Sequence, residues 1–359
     1  MRKATFFTGK YFLNNRQFDI SPRTRDNCLY MFHALKAAFR ENGIDLSTQD
    51  INAPSDAEFI IYNEMPQISN DLFSDKVNYL LMIESKIERA DNWDLKKHVH
   101  FKKIFTCFDE LVDNKKYIKI NYGQKIPEKM EFELEGKKGF CTMIASHKRK
   151  RNPLELYSER IRAIRWFERY HPEDFDLYGI GWDRYYFQEP FRKLNSEKLN
   201  KLDFLRKWAA PRYKNYRKTE SFYPDPNYPM PLYSYDCRDA LAKSKMEVLK
   251  KYKFCICYEN SRDVPGYITE KIFDCFFAGC IPIYWGAPNI AASIPENTFI
   301  DKRRFQTYEG LYRYLKAIDD TTYRAYVTAI EEFVRSNKIY PFSGECFAKT
   351  IVDAVLTAS

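Results

Sequence analysis

Phe254-Cys-Ile-Cys-Tyr-Glu-Asn-Ser-Arg-Asp-Val-Pro-Gly-Tyr-Ile-Thr-Glu-Lys-Ile-Phe-Asp-Cys-Phe-Phe-Ala-Gly-Cys-Ile-Pro-Ile-Tyr-Trp-Gly-Ala-Pro288 reads as an apolar strand, a polar loop, a helix opening on Thr269-Glu270-Lys271, and a second apolar strand. A strand–helix–strand unit meets its ligand with the strand-to-helix loop, because open α/β sheets bind at the carboxyl ends of their strands. A helix N-terminus adds unpaired N–H groups and a positive dipole end, both of which attract phosphate. A lysine and a glutamate in that first turn suit a nucleotide diphosphate and its ribose.

Working outward, the same rhythm recurs on the N-terminal side of this segment. Gly139-Phe-Cys-Thr-Met-Ile-Ala145 starts a strand, Leu154–Tyr170 a helix, and Phe175-Asp-Leu-Tyr178 a further strand ending at Gly179. Residues 131–138 are charged and weakly patterned, which fits a linker. Before it, Asp26–Asn42 reads as a helix with Leu29, Phe32, Leu35 and Phe39 on one stripe and Gly43 as its stop. Glu58–Tyr62, Tyr79–Ile83, Lys103–Phe108 and Tyr117–Ile120 follow as near-continuous apolar runs, the pattern of buried parallel strands. The chain therefore reads as α/β, with two Rossmann-like domains at 1–137 and 138–340 and a helical tail at 341–359. Asp239–Tyr252 and most of Tyr312–Val355 read as helical, with a break near Pro341.

Composition narrows the class without choosing a function. At 359 residues, two domains are the default. The 58 Lys+Arg against 49 Asp+Glu give +9, which favours an anionic partner. From Arg192 to Lys218 basic residues interleave with Phe204, Trp208, Tyr213 and Tyr216, and Pro224, Pro226, Pro229 and Pro231 then impose an extended loop. Such a stretch suits an acidic glycan, a membrane-surface, lipid-linked acceptor, or single-stranded nucleic acid. The modest, local charge excess argues against nucleic acid. Nine cysteines without a Cys-x-x-Cys pair read as buried thiols of a reducing cytosol rather than a metal clip. Met1–Lys10 is basic but leads into no apolar run, so no signal peptide is expected, and no stretch reaches the about 20 apolar residues of a membrane span.

Lys271 places an ammonium on a diphosphate already near helix N–H groups. Glu270, repelled by phosphate, suits ribose hydroxyls instead. Tyr267 follows Gly266, so a bent loop brings its hydroxyl toward phosphate oxygens. Asn260 ends the strand and serves either as an amide donor or as a loop cap. Glu84 ends a first-domain strand, the usual address of an active-site carboxylate, with Glu64 and Glu88 as neighbouring alternatives. No Asp-x-Asp or other carboxylate pair builds a metal cage: Asp56, Asp113, Asp183 and Asp225 are isolated, and His98 and His100 read as solvent-facing on a strand.

These motifs together resemble the α1,3-fucosyltransferase family, glycosyltransferase family 10. Tyr267-Ile-Thr-Glu-Lys271 after Glu259-Asn260 carries the likeness, with Ala145-Ser146-His147, Asp176-Leu-Tyr-Gly179 and Ile281-Pro-Ile-Tyr-Trp-Gly286 in support. His147 stands where the family usually has asparagine. The resemblance implies a GT-B arrangement with substrates meeting in the cleft between the domains. It also implies inverting transfer of L-fucose from GDP-β-L-fucose to a glycan hydroxyl, on N-acetylglucosamine or glucose. The donor would be held by Arg160, Asn260, Tyr267, Glu270 and Lys271, with Glu84 as base. Arg162 and Arg165 are the alternatives in register to Arg160. Metal-independent donor binding is expected, with manganese or magnesium at most stimulatory. No anchor and stem of the Golgi members, and no long heptad tail, is seen, which implies a cytoplasmic bacterial-type enzyme.

Overall fold

The computed structural model describes residues 1–21, 27–67, 71–73, 75–130, 132, 137–179 and 245–357. The basic, aromatic-interleaved stretch at 192–218, the proline-rich loop after it, Asp183 and Asp225 lie outside the described residues, as does most of the expected linker.

The N-terminal sheet is wholly parallel. Its strands are β1 (Arg2–Phe7), β2 (Ile44–Thr48), β3 (Phe59–Asn63), β4 (Val77–Met82), β5 (Lys103–Thr106) and β6 (Tyr117–Lys119), in the order β2-β1-β3-β4-β5-β6. The apolar runs of β3 and β4 are buried on both faces, as covered parallel strands require. β1 and β2 are the strands that pattern reading missed. Arg2 and Lys3 give β1 a polar start, although Ala4, Thr5 and Phe6 are buried at its centre. Helix α1 spans Tyr30–Glu41, within the expected 26–42, and buries Met31, Phe32, Leu35 and Phe39. It stops at Gly43, whose φ of +74° suits a residue without a Cβ.

The second sheet contains β7 (Gly139–Ile144), β8 (Phe175–Tyr178), β9 (Tyr252–Tyr258), β10 (Ile281–Trp285) and β11 (Ile300–Asp301), again wholly parallel, in the order β11-β10-β9-β7-β8. Among its helices are α2 (Tyr157–Tyr170), α3 (Lys245–Leu249) and α4 (Glu270–Phe277). The chain after β7 runs to β8 on one side and the chain after β9 to β10 on the other. The strand order therefore reverses between β7 and β9. A crevice opens at the carboxyl ends of strands at such a reversal.

Helices α5 (Tyr308–Ala317), α6 (Asp320–Arg335) and α7 (Gly344–Leu356) complete the chain, with a 3₁₀ turn through Pro341. The tail is no separate unit. Phe347, Ala348, Ile351, Val352 and Val355 of α7 pack into the N-terminal core beside α1, and Tyr30 donates to Glu345 at 2.5 Å. The chain thus crosses back over the domain boundary. No helix among the described residues is long and apolar enough to cross a membrane.

Two further expectations are corrected. His98 lies on a 3₁₀ segment, Leu95–His100, not a strand, and it is buried. Its Nε2 meets the Asn92 carbonyl at 2.7 Å and its Nδ1 the Tyr117 hydroxyl at 2.9 Å, which satisfies both ring nitrogens. His100 is exposed, as expected.

Candidate active site

The second sheet opens a cavity of about 190 Å³ at its strand-order reversal. Its walls come from the chain after β7 (Ala145, Ser146, Lys148), Gly179 after β8, Asn260 after β9, and the start of α4 (Glu270, Lys271), with Arg160 reaching in from α2. Four of the expected donor residues (Arg160, Asn260, Glu270 and Lys271) are therefore assembled in one place, although up to 111 positions separate them in sequence.

The centre of this arrangement is a residue that motif reading left without a role. Glu259 is fully buried at the end of β9. It accepts from the Thr269 backbone N–H at 2.8 Å, the Thr269 hydroxyl at 2.7 Å and the Lys271 ammonium at 3.2 Å. One carboxylate thus ties the strand end to the first turn of α4 and aims Lys271. Gly286 makes room for it, since a Cβ there would stand 2.5 Å from Glu259 Cγ and 2.4 Å from the Tyr284 hydroxyl. The signal was present as an acidic residue closing an otherwise apolar strand.

Electrostatics keep the cavity's charges in place. Burial disfavours the Glu270 carboxylate, but the Lys271 and Lys245 ammoniums outweigh it and hold its pKa at about 2. Burial likewise opposes the Lys271 charge, and Glu259 and Glu270 more than compensate, raising its pKa above the ordinary lysine value. Arg160 is 6 % exposed, and its Nη2 donates to the Tyr258 and Glu259 carbonyls at 2.6 and 2.9 Å and to Asn260 Oδ1 at 3.1 Å. Asn260 thus orients the guanidinium with its own amide oxygen. Arg162 and Arg165 point to solvent, Arg162 pairing with Glu159, so only Arg160 of the three faces the cavity.

Tyr267 is placed differently from expectation. It is 1 % exposed, does not line the cavity, and packs in the N-terminal core with ring centroids 5.8 Å from Phe108 and 6.3 Å from Tyr122. The cause lies in Gly266, whose φ of +79° turns the loop toward the first domain. A Cβ there would stand 2.3 Å from the Cys107 carbonyl. The Asp109 N–H bonds the Pro265 carbonyl at 3.1 Å, and Asn289 donates to Asp109 Oδ2 at 2.8 Å. The loop is a wedge between domains.

Across the cleft, the three first-domain carboxylates have different surroundings. Glu64 is buried and accepts from the backbone N–H groups of Ile83 and Glu84. Glu88 accepts from the Tyr157 hydroxyl and pairs with Lys148 at 3.4 Å; these contacts overcome its burial and keep it below the ordinary range. Glu84 keeps a buried Oε2 without a hydrogen-bond partner. Burial raises its pKa, and the largest opposing charge is Lys271 of the other domain. A bond of 3.1 Å between the buried hydroxyls of Ser85 and Ser261 fixes this stretch against the loop after β9. Glu84 is thus an uncommitted carboxylate within electrostatic reach of the cavity.

Among the described residues, His171, Glu173 and Asp174 could bring three ligand atoms within 4.8 Å of one another. They precede β8, at the end of the sheet opposite the cavity, and Asp174 already accepts from Tyr312 at 2.6 Å and from Lys316 at 3.1 Å.

Residues 228–340 match the model of the C-terminal domain of glycosyltransferase family 10, the fucosyltransferases. The likeness to this family is thus confined to about a third of the chain. The matched segment contains Asn260, Tyr267, Glu270 and Lys271, while Arg160 and Glu84 lie outside it. An α-(1,3)-fucosyltransferase of Helicobacter pylori is 38 % identical over 90 residues, which are 25 % of this chain and 18 % of that enzyme. The aligned stretch thus spans less than a fifth of the curated relative's length. A crystal structure of an α1,3-fucosyltransferase with GDP-fucose superposes with a TM-score of 0.51 at 16 % identity, over 98 % of this chain and 89 % of that one. An α-glucosyltransferase in complex with UDP-glucose and DNA containing an abasic site superposes with a TM-score of 0.55 at 12 % identity, over 99 % of both. At such identities the superpositions speak for the fold alone: two parallel-sheet α/β domains in a GT-B architecture.

Proposed function

We propose that the chain is an inverting fucosyltransferase that moves L-fucose from GDP-β-L-fucose to a hydroxyl of an N-acetylglucosamine- or glucose-containing glycan, in α1,3 linkage. The observation that carries this reading is the opposition of Glu84 to Lys271 across the cleft. An uncommitted carboxylate raised by burial faces a paired ammonium at a helix start, with Arg160 beside it.

The chemistry follows from those positions. Lys271 and Arg160 meet the donor diphosphate, each charge-assisted hydrogen bond contributing about 1.5–3 kcal/mol. Glu270 accepts from the ribose hydroxyls. The acceptor hydroxyl gives its proton to Glu84 as its oxygen bonds to the fucose anomeric carbon. The bond from that carbon to the diphosphate oxygen breaks, and the negative charge gathers on GDP, where the two cations stabilise it. Attack opposite the leaving group converts the β-linked donor into an α-linked product. A carboxylate with a raised pKa suits the base, since proton transfer is most effective when the base titrates near the working pH. Charge from side chains allows donor binding without a metal, and manganese or magnesium would at most stimulate.

Incubation with GDP-fucose and N-acetyllactosamine, followed by NMR of the product, tests the reading. An α-fucosyl product linked to O3 of the N-acetylglucosamine unit is expected. Transfer from GDP-mannose but not GDP-fucose would replace the donor assignment, and no transfer from any GDP-sugar would remove the reading.

A further inference from the structure

Behind Glu84 lies a carboxylate that the proposed chemistry does not use. Glu64 follows β3 with φ at +70°, a backbone region that a glutamate rarely adopts, and its side chain turns inward. Its Oε1 accepts from the Ile83 N–H at 3.2 Å and the Glu84 N–H at 3.1 Å. Its Oε2 accepts from Asn92 Nδ2, and Asn92 is itself fully buried, with its Oδ1 held by the Met65 N–H at 2.8 Å.

The placement answers a specific need. The ladder between β4 and β5 ends at Met82, so the next two amides lie past the last strand pairing. Unpaired buried amides are costly, and one carboxylate oxygen can satisfy both. On the other side of the same backbone, the Ile83 carbonyl accepts from the Tyr122 hydroxyl at 3.0 Å. The peptide that carries Glu84 is thereby clamped on its N–H and C=O sides. Its side chain keeps the unpartnered oxygen that the mechanism requires.

We infer that Glu64 is a positioning residue of the transfer reaction: its carboxylate clamps the Ile83–Glu84 backbone and so aims the Glu84 carboxyl at the acceptor hydroxyl. The inference rests on Glu84 being the base. It assigns Glu64 to turnover and not to donor binding, since the donor residues stand on the other domain.

The test uses the full chain, with GDP-fucose binding read by calorimetry and turnover read as GDP release with N-acetyllactosamine. In Glu64→Asp the carboxylate is one methylene short of the two amides. In Glu64→Gln an acceptor oxygen remains at the right reach. We expect kcat to fall at least tenfold in Glu64→Asp and by a smaller factor, about fivefold, in Glu64→Gln, which keeps the acceptor for the two amides but loses the Asn92 bond, with donor Kd within threefold of wild type in both. Wild-type kcat in Glu64→Asp would overturn the inference. Joint loss of turnover and donor binding would overturn it too, because the residue would then serve the fold at large. If Glu64→Asp does not fold, Asn92→Ala leaves the Glu64 carboxylate in place and removes the donor to its Oε2, along with the acceptor of the Met65 N–H. A fivefold fall in kcat at unchanged donor Kd is expected there, and unchanged kcat refutes the clamp. Glu84→Gln separates the two levels. If it keeps turnover, the base assignment itself falls; if it loses turnover while the Glu64 and Asn92 variants do not, only the clamp falls.

Discussion

The Lys271 ammonium stands 3.2 Å from the fully buried Glu259 carboxylate, so a cation that lines the cavity is anchored by the end of the preceding strand. Glu259→Gln should free Lys271 and leave the Thr269 hydrogen bonds weaker. The expected loss of stability is about 1–3 kcal/mol, the usual penalty for a buried polar group deprived of its partner. Chemical denaturation measures it. The pH dependence has a definite sign. Pairing raises the folded pKa of Lys271, so its contribution is full below the ordinary lysine value and is lost as pH rises through the raised one. Above that range, the difference between wild type and variant should narrow to what the Thr269 hydrogen bonds contribute.

Arg160 and Arg162 lie two positions apart on α2 and face opposite ways. Arg160→Lys replaces a planar fork held by two carbonyls with a point charge, and should weaken GDP-fucose binding at least tenfold, about 1.4 kcal/mol or more. Arg162→Ala removes an exposed partner of Glu159 and should change neither donor affinity nor stability by more than about 0.5 kcal/mol. Equal effects from the two would mean that the register of this helix is misassigned.

Tyr267 distinguishes a packing role from a ligand role. Its ring lies between domains against Phe108 and Tyr122, so Tyr267→Ala should cost about 3–5 kcal/mol, as for other large aromatics deleted from cores. Tyr267→Phe keeps the ring and should leave donor Kd within threefold. A tenfold loss of donor affinity in Tyr267→Phe would return the hydroxyl to the phosphate site.

Glu84 should leave its mark on the pH profile of kcat. Burial raises its pKa, and a base works only when ionised. Turnover should therefore rise with pH through a midpoint above the ordinary glutamate value of about 4.3. Glu88→Gln removes a neighbouring negative charge that raises Glu84, and should move that midpoint to lower pH. Glu84→Gln should reduce kcat by roughly 10²–10⁴ while sparing donor binding.

Legibility in the sequence followed local pattern. The helix start at Thr269-Glu270-Lys271 and the apolar runs at β3, β4, β9 and β10 were readable because each declares itself within about ten residues. β1 was not, since its polar first residues hid a three-residue buried centre. The position of Tyr267 depends on Gly266 approaching Cys107, a contact between domains that no local pattern records. The same holds for α7, whose apolar stripe was visible but whose partner α1 lies some 300 residues earlier. Glu259 and Glu64 are the opposite case. Their types were visible, yet buried acids acquire meaning only from the amides and ammonium that surround them.

The most direct test of the account is calorimetric titration of GDP-fucose, GDP-mannose and GDP in the presence of EDTA, with wild type beside Lys271→Ala. The account predicts preferential binding of GDP-fucose that collapses in the variant. Absence of binding by any guanine nucleotide, even after manganese is added, would contradict it.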